Sequence, residues 1–357
     1  MRRIVLQLHL LVALVSGAFL FVLGVTGAIM AFEPEIDHLI HARESYVTPS
    51  GAPKPLTELA AVASRATPGQ PITGYLLPAT QDLSTQVLFR GRGVFVNQYT
   101  GEVLGTREPG TDMLARIHQL HLRLLIQNRS DSGKTIVTAA GVALLFLAFS
   151  GLYLWWPRKR VRVRRHGRWF WFDLHNAVGI GSLVFLIAAS ATGVAIGVDD
   201  AFRPWIYRVT RSEPNLMYAR PPKFDVRPSG HPIGPDRALE IAREALPGAT
   251  PISMNVPVPT GVYALSARYP EDRTPGGRSR LFIDQYSGAV LAAEGSRTAP
   301  AGSRAITLNR AIHTGDVFGI PSKAIVSLAS LAVVAQLVSG VAWLLKKRAT
   351  IPRVERE

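Results

Sequence analysis

Nine histidines and no cysteine define the chemistry open to this 357-residue chain. The missing thiols exclude disulfides, cysteine-ligated iron–sulfur clusters, covalent c-type haem through Cys-x-x-Cys-His, and type-1 copper. A redox group would have to be held by imidazole, carboxylate, thioether or noncovalent contacts. The histidines are His9, His38, His41, His118, His121, His166, His175, His231 and His313. Two of them occur in matched contexts. Leu8-His9 is followed by Thr26-Gly27 and Leu174-His175 by Thr192-Gly193, with sixteen residues between histidine and threonine in both. His121 and His313 are the nearest equivalents at the far end of each half, each ahead of a long apolar run.

A lone histidine at the end of an apolar run is ordinarily an interfacial residue. The double occurrence argues for a paired role, because an imidazole near hydrocarbon needs a partner. Two histidines make a poor zinc site, which takes four ligands. A porphyrin supplies four nitrogens of its own and needs only axial ligands, and facing histidines in a helix bundle are a recurring way to hold one. Two axial histidines leave no open iron position, which suits electron transfer. His118 lies one helical turn before His121 on the same face, so either can ligate. His38, His41, His166 and His231 fall in loops and read as solvated. The small residues Gly17, Gly24, Gly27, Gly179, Gly181, Ser182 and Gly193 allow either ordinary close helix packing or room for a flat ring.

The elements that must position these side chains are apolar. The chain is 47% hydrophobic and 18% charged. Stretches at about Leu10–Phe32, Ile136–Trp156, Ala177–Val198 and Ile325–Leu345 approach the roughly 20 residues of a spanning helix. A net charge of +15 raises the question of nucleic acid, but its distribution answers it. Arg2 and Arg3, the stretch Arg158–Asp173 and the tail Lys346–Glu357 together carry eleven of the fifteen net charges. All three flank apolar stretches on what would be one side of a four-span protein. That is the positive-inside pattern, with both termini cytoplasmic in a bacterial inner membrane and two large loops in the periplasm. All six tryptophans (Trp155, Trp156, Trp169, Trp171, Trp205, Trp343) sit near expected span ends, as an interfacial belt would. A cleaved signal peptide is the competing reading of residues 1–32, but the apolar run is long and no clean Ala-x-Ala site follows it.

The halves repeat. Glu33 and Asp199 align just beyond the two Thr-Gly pairs. Residues 96–104 (VNQYTGEVL) match residues 283–291 (IDQYSGAVL), each a strand, a glycine turn and a second strand. Upstream lie helix-like segments (Leu56–Ala66, Arg237–Leu246) and strand-like ones (Thr85–Phe89, Val262–Ala267). Lys134-Thr135-Ile136-Val137 with Ser150-Gly151 matches Lys323-Ala324-Ile325-Val326 with Ser339-Gly340. The register slips once. His121 lies thirteen residues before Lys134 and His313 ten before Lys323, so the intervening loops differ in length. The expected fold is an integral membrane α-helical protein with four transmembrane helices in two tandem parallel repeats, each carrying an α+β domain. The expected segments are a first span (1–33), a first periplasmic domain (34–115), and an interfacial helix with the second span (116–157). A basic cytoplasmic loop (158–171), the third span (172–198) and a second periplasmic domain (199–303) follow. An interfacial helix with the fourth span (304–348) and a tail (349–357) complete the chain. Parallel halves would be related by a pseudo-twofold axis along the membrane normal.

These pieces resemble the PepSY-associated transmembrane family. The resemblance rests on the Leu-His…Thr-Gly spans, the Tyr-Thr-Gly-Glu-Val-Leu turn, and the Leu-His-Leu-Arg-Leu-Leu entry to the second span. Ser-Gly-Leu-Tyr-Leu-Trp-Trp-Pro at that span's end and Ile-His-Thr-Gly-Asp before the fourth complete it. It covers nearly the whole chain. It implies two periplasmic PepSY modules, b-type haem, and kinship with iron-regulated inner-membrane proteins and ferrisiderophore reductases. It also implies His121 rather than His118 as the ligand, leaving the pairs His9/His175 and His121/His313 on two haems b.

The expected function is electron transfer from the cytoplasmic side or the quinone pool to a periplasmic acceptor, with ferric siderophore the acceptor the resemblance implies. Haem propionates call for cations: Arg116, Arg123 and Arg310 near one pair, Arg165 or Arg168 near the other. Glu33 and Asp199 either tune the nearby group or mark the membrane boundary. No Gly-x-Gly-x-x-Gly or P-loop occurs, so no nucleotide is expected through those folds. Two readings from other classes stand beside this one: a non-redox, membrane-anchored module that binds a peptide or regulates a protease, and a small transporter. A visible spectrum separates haem from both.

Overall fold

A computed structural model of the chain describes residues 1–349 except 109, 127, 158–160, 162, 163, 165, 219–222, 258 and 259; the side chains of 168, 348 and 349 are also outside the description. The described helices are α1 (Arg2–Met30), α2 (Glu33–Ile40), α3 (Ala42–Ser45), α4 (Leu56–Ala66), α5 (Met113–Arg123) and α6 (Ser132–Trp155). They continue with α7 (Arg168–Gly197), α8 (Asp199–Thr210), α9 (Gly234–Ala245), α10 (Ala301–Thr314) and α11 (Ile320–Ala349). The strands are β1 (Ile72–Leu76), β2 (Thr85–Phe89), β3 (Arg92–Val96), β4 (Val103–Arg107), β5 (Thr250–Asn255), β6 (Val262–Arg268), β7 (Ser279–Asp284) and β8 (Val290–Glu294). The chain divides into two compact units. One comprises Met1–Glu33, Arg116–Phe202 and the chain from Asn309 on; the other comprises Pro34–Ala115 and Arg203–Leu308.

The first unit is built on α1, α6, α7 and α11. Among the described residues these are the four helices long and apolar enough to cross a membrane. The protein is therefore a membrane protein. The four helices form a closed ring in which α1 and α7 each pack on both α6 and α11. Hydrocarbon gives no hydrophobic drive for helices to associate, so close approach must come from small residues. A methyl at Gly24 would meet the Ser330 backbone carbonyl at 2.9 Å, and one at Gly141 would meet Val194 at 3.0 Å. Between the helix ends, Leu20, Ala140, Leu186, Ala329 and Val333 close a buried apolar plug.

The second unit is an antiparallel sheet in the order β4-β3-β2-β1-β5-β6-β7-β8, with α4 and α9 packed over one face. Leu59, Met254, Leu265, Leu281 and Ile283 are completely buried between helices and sheet. Truncating any one of them to alanine would cost about 2–5 kcal/mol. The two strand–turn–strand segments form as their sequences dictate. Asn97 Oδ1 accepts the amides of Tyr99 and Thr100, Asp284 Oδ1 accepts those of Tyr286 and Ser287, and Gly101 and Gly288 take the positive φ that each turn requires.

One expectation changes here. Two separate α+β domains were expected, yet their strands make a single sheet. Sequence patterning gives no strand at β1 or β5, and these two pair with each other, Tyr75 opposite Met254. The reason is edge satisfaction: each half would otherwise end in a strand with unpaired N–H and C=O groups, and pairing the two edges removes both. Gly74 permits the junction, since a Cβ there would lie 2.7 Å from the Met254 carbonyl.

Candidate functional site: four seated histidines

All four paired histidines lie in the helical unit, and each is seated in the same way. His9 on α1 directs Nδ1 to Ser150 Oγ on α6 at 2.8 Å. His121 on α5 directs Nδ1 to Thr26 Oγ1 on α1 at 2.9 Å. His175 on α7 donates from Nδ1 to the Gln336 carbonyl of α11 at 2.9 Å, with Ser339 Oγ at 3.5 Å. His313 on α10 donates from Nδ1 to the Ala189 carbonyl of α7 at 3.0 Å, with Thr192 Oγ1 at 3.2 Å. Asn309 Nδ2, on α10 beside His313, adds a bond to the Thr192 carbonyl at 3.3 Å.

The hydroxyls decide which nitrogen carries the proton. Ser150, Thr26, Ser339 and Thr192 each donate their single O–H to the carbonyl four residues earlier, at 2.6–2.7 Å. A hydroxyl so committed can only accept from the imidazole. The backbone carbonyls at His175 and His313 can do nothing else. All four rings are therefore Nδ1–H tautomers, with the Nε2 lone pair directed away from the seat. That is the state in which histidine ligates a metal through Nε2, and the Nδ1 hydrogen bond is the usual outer support of such a ligand. Burial and the neighbouring His313 hold His121 down to about 4, and burial lowers His313 as well. Both rings are thus neutral at pH 7.

A glycine follows each hydroxyl, and each ring lies over it. A methyl added at Gly27 would meet His121 Cε1 at 3.2 Å, and one at Gly193 would meet His313 Cε1 at 2.8 Å. The nearest ring atoms lie 3.6 Å away at Gly151 (His9 Cε1) and 3.4 Å away at Gly340 (His175 Nδ1). Thr26-Gly27, Ser150-Gly151, Thr192-Gly193 and Ser339-Gly340 are thus histidine seats: the first residue fixes the tautomer, the second makes room for the ring.

The seats bring the histidines together in pairs. The His121 and His313 ring centres lie 6.4 Å apart. Two imidazoles bound to one metal from opposite sides, each through a bond of about 2 Å, would place their ring centres roughly 6 Å apart. His9 and His175 line one cavity of about 600 Å³, walled by Leu6, Leu10, Leu144, Leu147, Trp155, Phe172 and Trp343 among others. Its size and largely apolar lining suit a flat organic group. Along α1, His9 and the Thr26 seat are seventeen residues apart, about 25 Å of helix, so the pairs occupy opposite ends of the bundle. Among the described residues, no group of three or more His, Asp or Glu side chains could hold a metal ion. The donor set suits a group needing one nitrogen from each side and not a tetrahedral metal.

His118 is not part of a pair. Its Nδ1 lies 2.8 Å from Glu33 Oε2, and this carboxylate raises its pKa against the opposing effects of burial and Arg310. Glu33 opens α2 and Asp199 opens α8. Arg123 is ion-paired with Asp131. Arg165 and the side chain of Arg168 lie outside the described residues. Arg164 from the same stretch is bound to Asp173 through two side-chain bonds, at 2.7 and 2.8 Å. Elsewhere His41 sits between Asp37 and Glu44, His38 packs edge-on against Tyr46, and His166 and His231 are exposed. The three-residue slip between the His121 and His313 contexts falls between the end of α5 and the start of α6 against the end of α10 and the start of α11, and leaves both seats intact.

Residues 6–347 match the model of a family described as the PepSY-associated TM region. An uncharacterized protein of Pseudomonas aeruginosa, PA4219, is 31% identical over 150 residues, 39% of this chain. That match spans 36% of the relative, little more than a third of its length.

Proposed function

The chain belongs to the family of the PepSY-associated TM region, and from that premise we propose that it is a haem-holding electron-transfer protein of the bacterial inner membrane. His9 and His175 would hold one haem b and His121 and His313 a second. The observation that carries this reading is the common seat: four imidazoles, each fixed as the Nε2-ligating tautomer and grouped two by two at the ends of one bundle. When bound, each haem would supply a reversible one-electron carrier, held by two histidines of this chain. The protein's part is to fix ligand orientation, keep His121 and His313 neutral and exclude water with its apolar walls.

The matched seats support two tandem repeats related by a pseudo-twofold axis along the membrane normal. The basic segments at Arg2-Arg3, Arg158–Asp173 and Lys346 onward support cytoplasmic termini and a periplasmic sheet unit. The His9/His175 pair would then lie toward the cytoplasm and His121/His313 toward the periplasm. Electrons enter from the cytoplasmic side or the quinone pool and leave to a periplasmic acceptor. Ferric siderophore is the acceptor class that the sequence resemblance implies. Hard oxygen ligands hold Fe(III) tightly and Fe(II) weakly, so one electron loosens the metal, and no acid–base side chain is needed.

The test is the absorption spectrum of the purified membrane protein from haem-supplied cells. The expected result is a noncovalent pigment that acidic acetone extracts and pyridine reports as protohaem, in two separable components. A colourless protein rejects the reading. Periplasmic activity of a reporter fused at residue 165 or at the C-terminus rejects the orientation.

A further inference from the structure

The cavity holding His9 and His175 has a polarity map that the ligand pair alone does not explain. Its only charged lining residues among those described are Arg2 and Arg3, and both lie at one end. The histidines sit deeper, and most of the remaining wall is apolar or aromatic. The other described cations of that face are occupied elsewhere. Arg164 is held by Asp173 and stacked on Trp169, while Lys346 and Lys347 lie over Trp171 and Trp343. Arg2 gives one N–H to the Leu154 carbonyl at 2.7 Å, which pins the guanidinium to the end of α6. An arginine has five N–H donors, so among the described residues four are left for a ligand. Two arginines at the mouth and two imidazoles within describe a flat apolar ligand with a central metal and acidic groups on one edge.

We propose that Arg2 and Arg3 bind the two carboxylates of the cofactor at the His9/His175 end, the role sequence alone suggested for Arg165 or Arg168. This rests on the haem reading above. The two arginines then act twice, once in membrane orientation and once as anchors for the ligand's acidic edge. Guanidinium is suited to the second task, since its planar fork meets a carboxylate through two parallel bonds.

The experiment uses the full-length protein stripped of haem and reloaded with protohaem or with its dimethyl ester, which lacks the carboxylate charges. The readout is the absorbance component that His9→Ala removes. Wild type is expected to hold the diacid roughly tenfold or more tightly than the diester at this component, the scale of a charge-assisted hydrogen bond. Arg2→Gln with Arg3→Gln should abolish that preference, and Arg2→Lys with Arg3→Lys should keep most of it. The component belonging to His121 and His313 should respond to neither double variant. Equal binding of diacid and diester by wild type overturns the proposal without reliance on any variant's folding. So does an undiminished preference in the double glutamine variant. A wild type that takes up no haem defeats the haem reading instead, and does so before any variant is made.

Discussion

At the His121/His313 end the rings press onto their glycines, with would-be methyl contacts of 3.2 and 2.8 Å, and their centres lie 6.4 Å apart with the planes tilted by 50°. At the His9/His175 end the same contacts relax to 3.6 and 3.4 Å, and the rings border a cavity of about 600 Å³. The chemistry of the seat is identical, but the space is not. The difference follows from what carries each histidine. His9 and His175 belong to long helices whose spacing is set by the apolar plug around Leu20 and Leu186. His121 and His313 arrive on shorter helices, α5 and α10, that can settle against α1 and α7 until ring meets backbone. A second contrast singles out one seat. His9 relies on the Ser150 hydroxyl, whereas His175 and His313 have a backbone carbonyl at 2.9 and 3.0 Å as well, and His121 bonds the Leu23 backbone besides Thr26.

The largest effects test whether there are two ends at all. His121→Ala and His313→Ala should each abolish or render high-spin the same absorbance component, and His9→Ala and His175→Ala the other. Spectra of the four purified variants read this directly. If His9→Ala and His313→Ala remove one shared component and leave the second untouched, the comparison between ends collapses. If His118→Ala and not His121→Ala acts, the ligand choice fails while the arrangement survives.

The glycines come next. Gly193→Ala should be the most damaging, because its methyl would sit 2.8 Å from a ring carbon, and Gly27→Ala second at 3.2 Å. Gly151→Ala and Gly340→Ala place the methyl in ordinary or nearly ordinary contact and should keep their component. Haem-to-protein ratios order the four; equal losses at both ends would show that the tight and roomy seats behave alike.

Hydroxyl removal is milder and separates His9 from the other seats. Ser150→Ala should weaken retention of its component by about tenfold, the lower end of outer-support effects. Thr192→Val and Ser339→Ala should do less, because the carbonyls of Ala189 and Gln336 still take the Nδ1 proton. Haem transfer rates to an acceptor protein measure this, and equal effects of Ser150→Ala and Ser339→Ala would remove the distinction.

The smallest effect concerns His118. Glu33 raises its pKa above the ordinary 6.5. The pair therefore stabilises the fold fully below that value, and the contribution fades as pH climbs through the raised one. Thermal unfolding of wild type and Glu33→Gln in detergent should differ more at pH 5.5 than at pH 8.5. A gap that widens with pH would reverse the assignment.

Much of this molecule is legible in its residues, because hydrocarbon and alternation impose strict periods. Apolar length gave the four long helices, the doubled Tyr-x-Gly turns gave two hairpins of the sheet, and the spacing of His9 and His175 singled them out. The Thr-Gly and Ser-Gly pairs were visible too, but only as landmarks. Nothing local says that a hydroxyl on one helix will accept a proton from an imidazole on another, since its own O–H bond to the preceding turn looks complete without it. The union of two expected domains into one sheet was equally hidden. Ile72–Leu76 carries Gly74, and Thr250–Asn255 carries Pro251, so neither advertises a strand. Each becomes one only when the other supplies the missing ladder, with Tyr75 set opposite Met254. The sequence alone determined which segments are apolar enough to span and where histidine recurs. Tertiary structure decided which helix faces which, and with it the protonated nitrogen, the room above each glycine and the partner of each ring. Those properties arise from contacts between residues far apart in the chain, which no single stretch of sequence encodes.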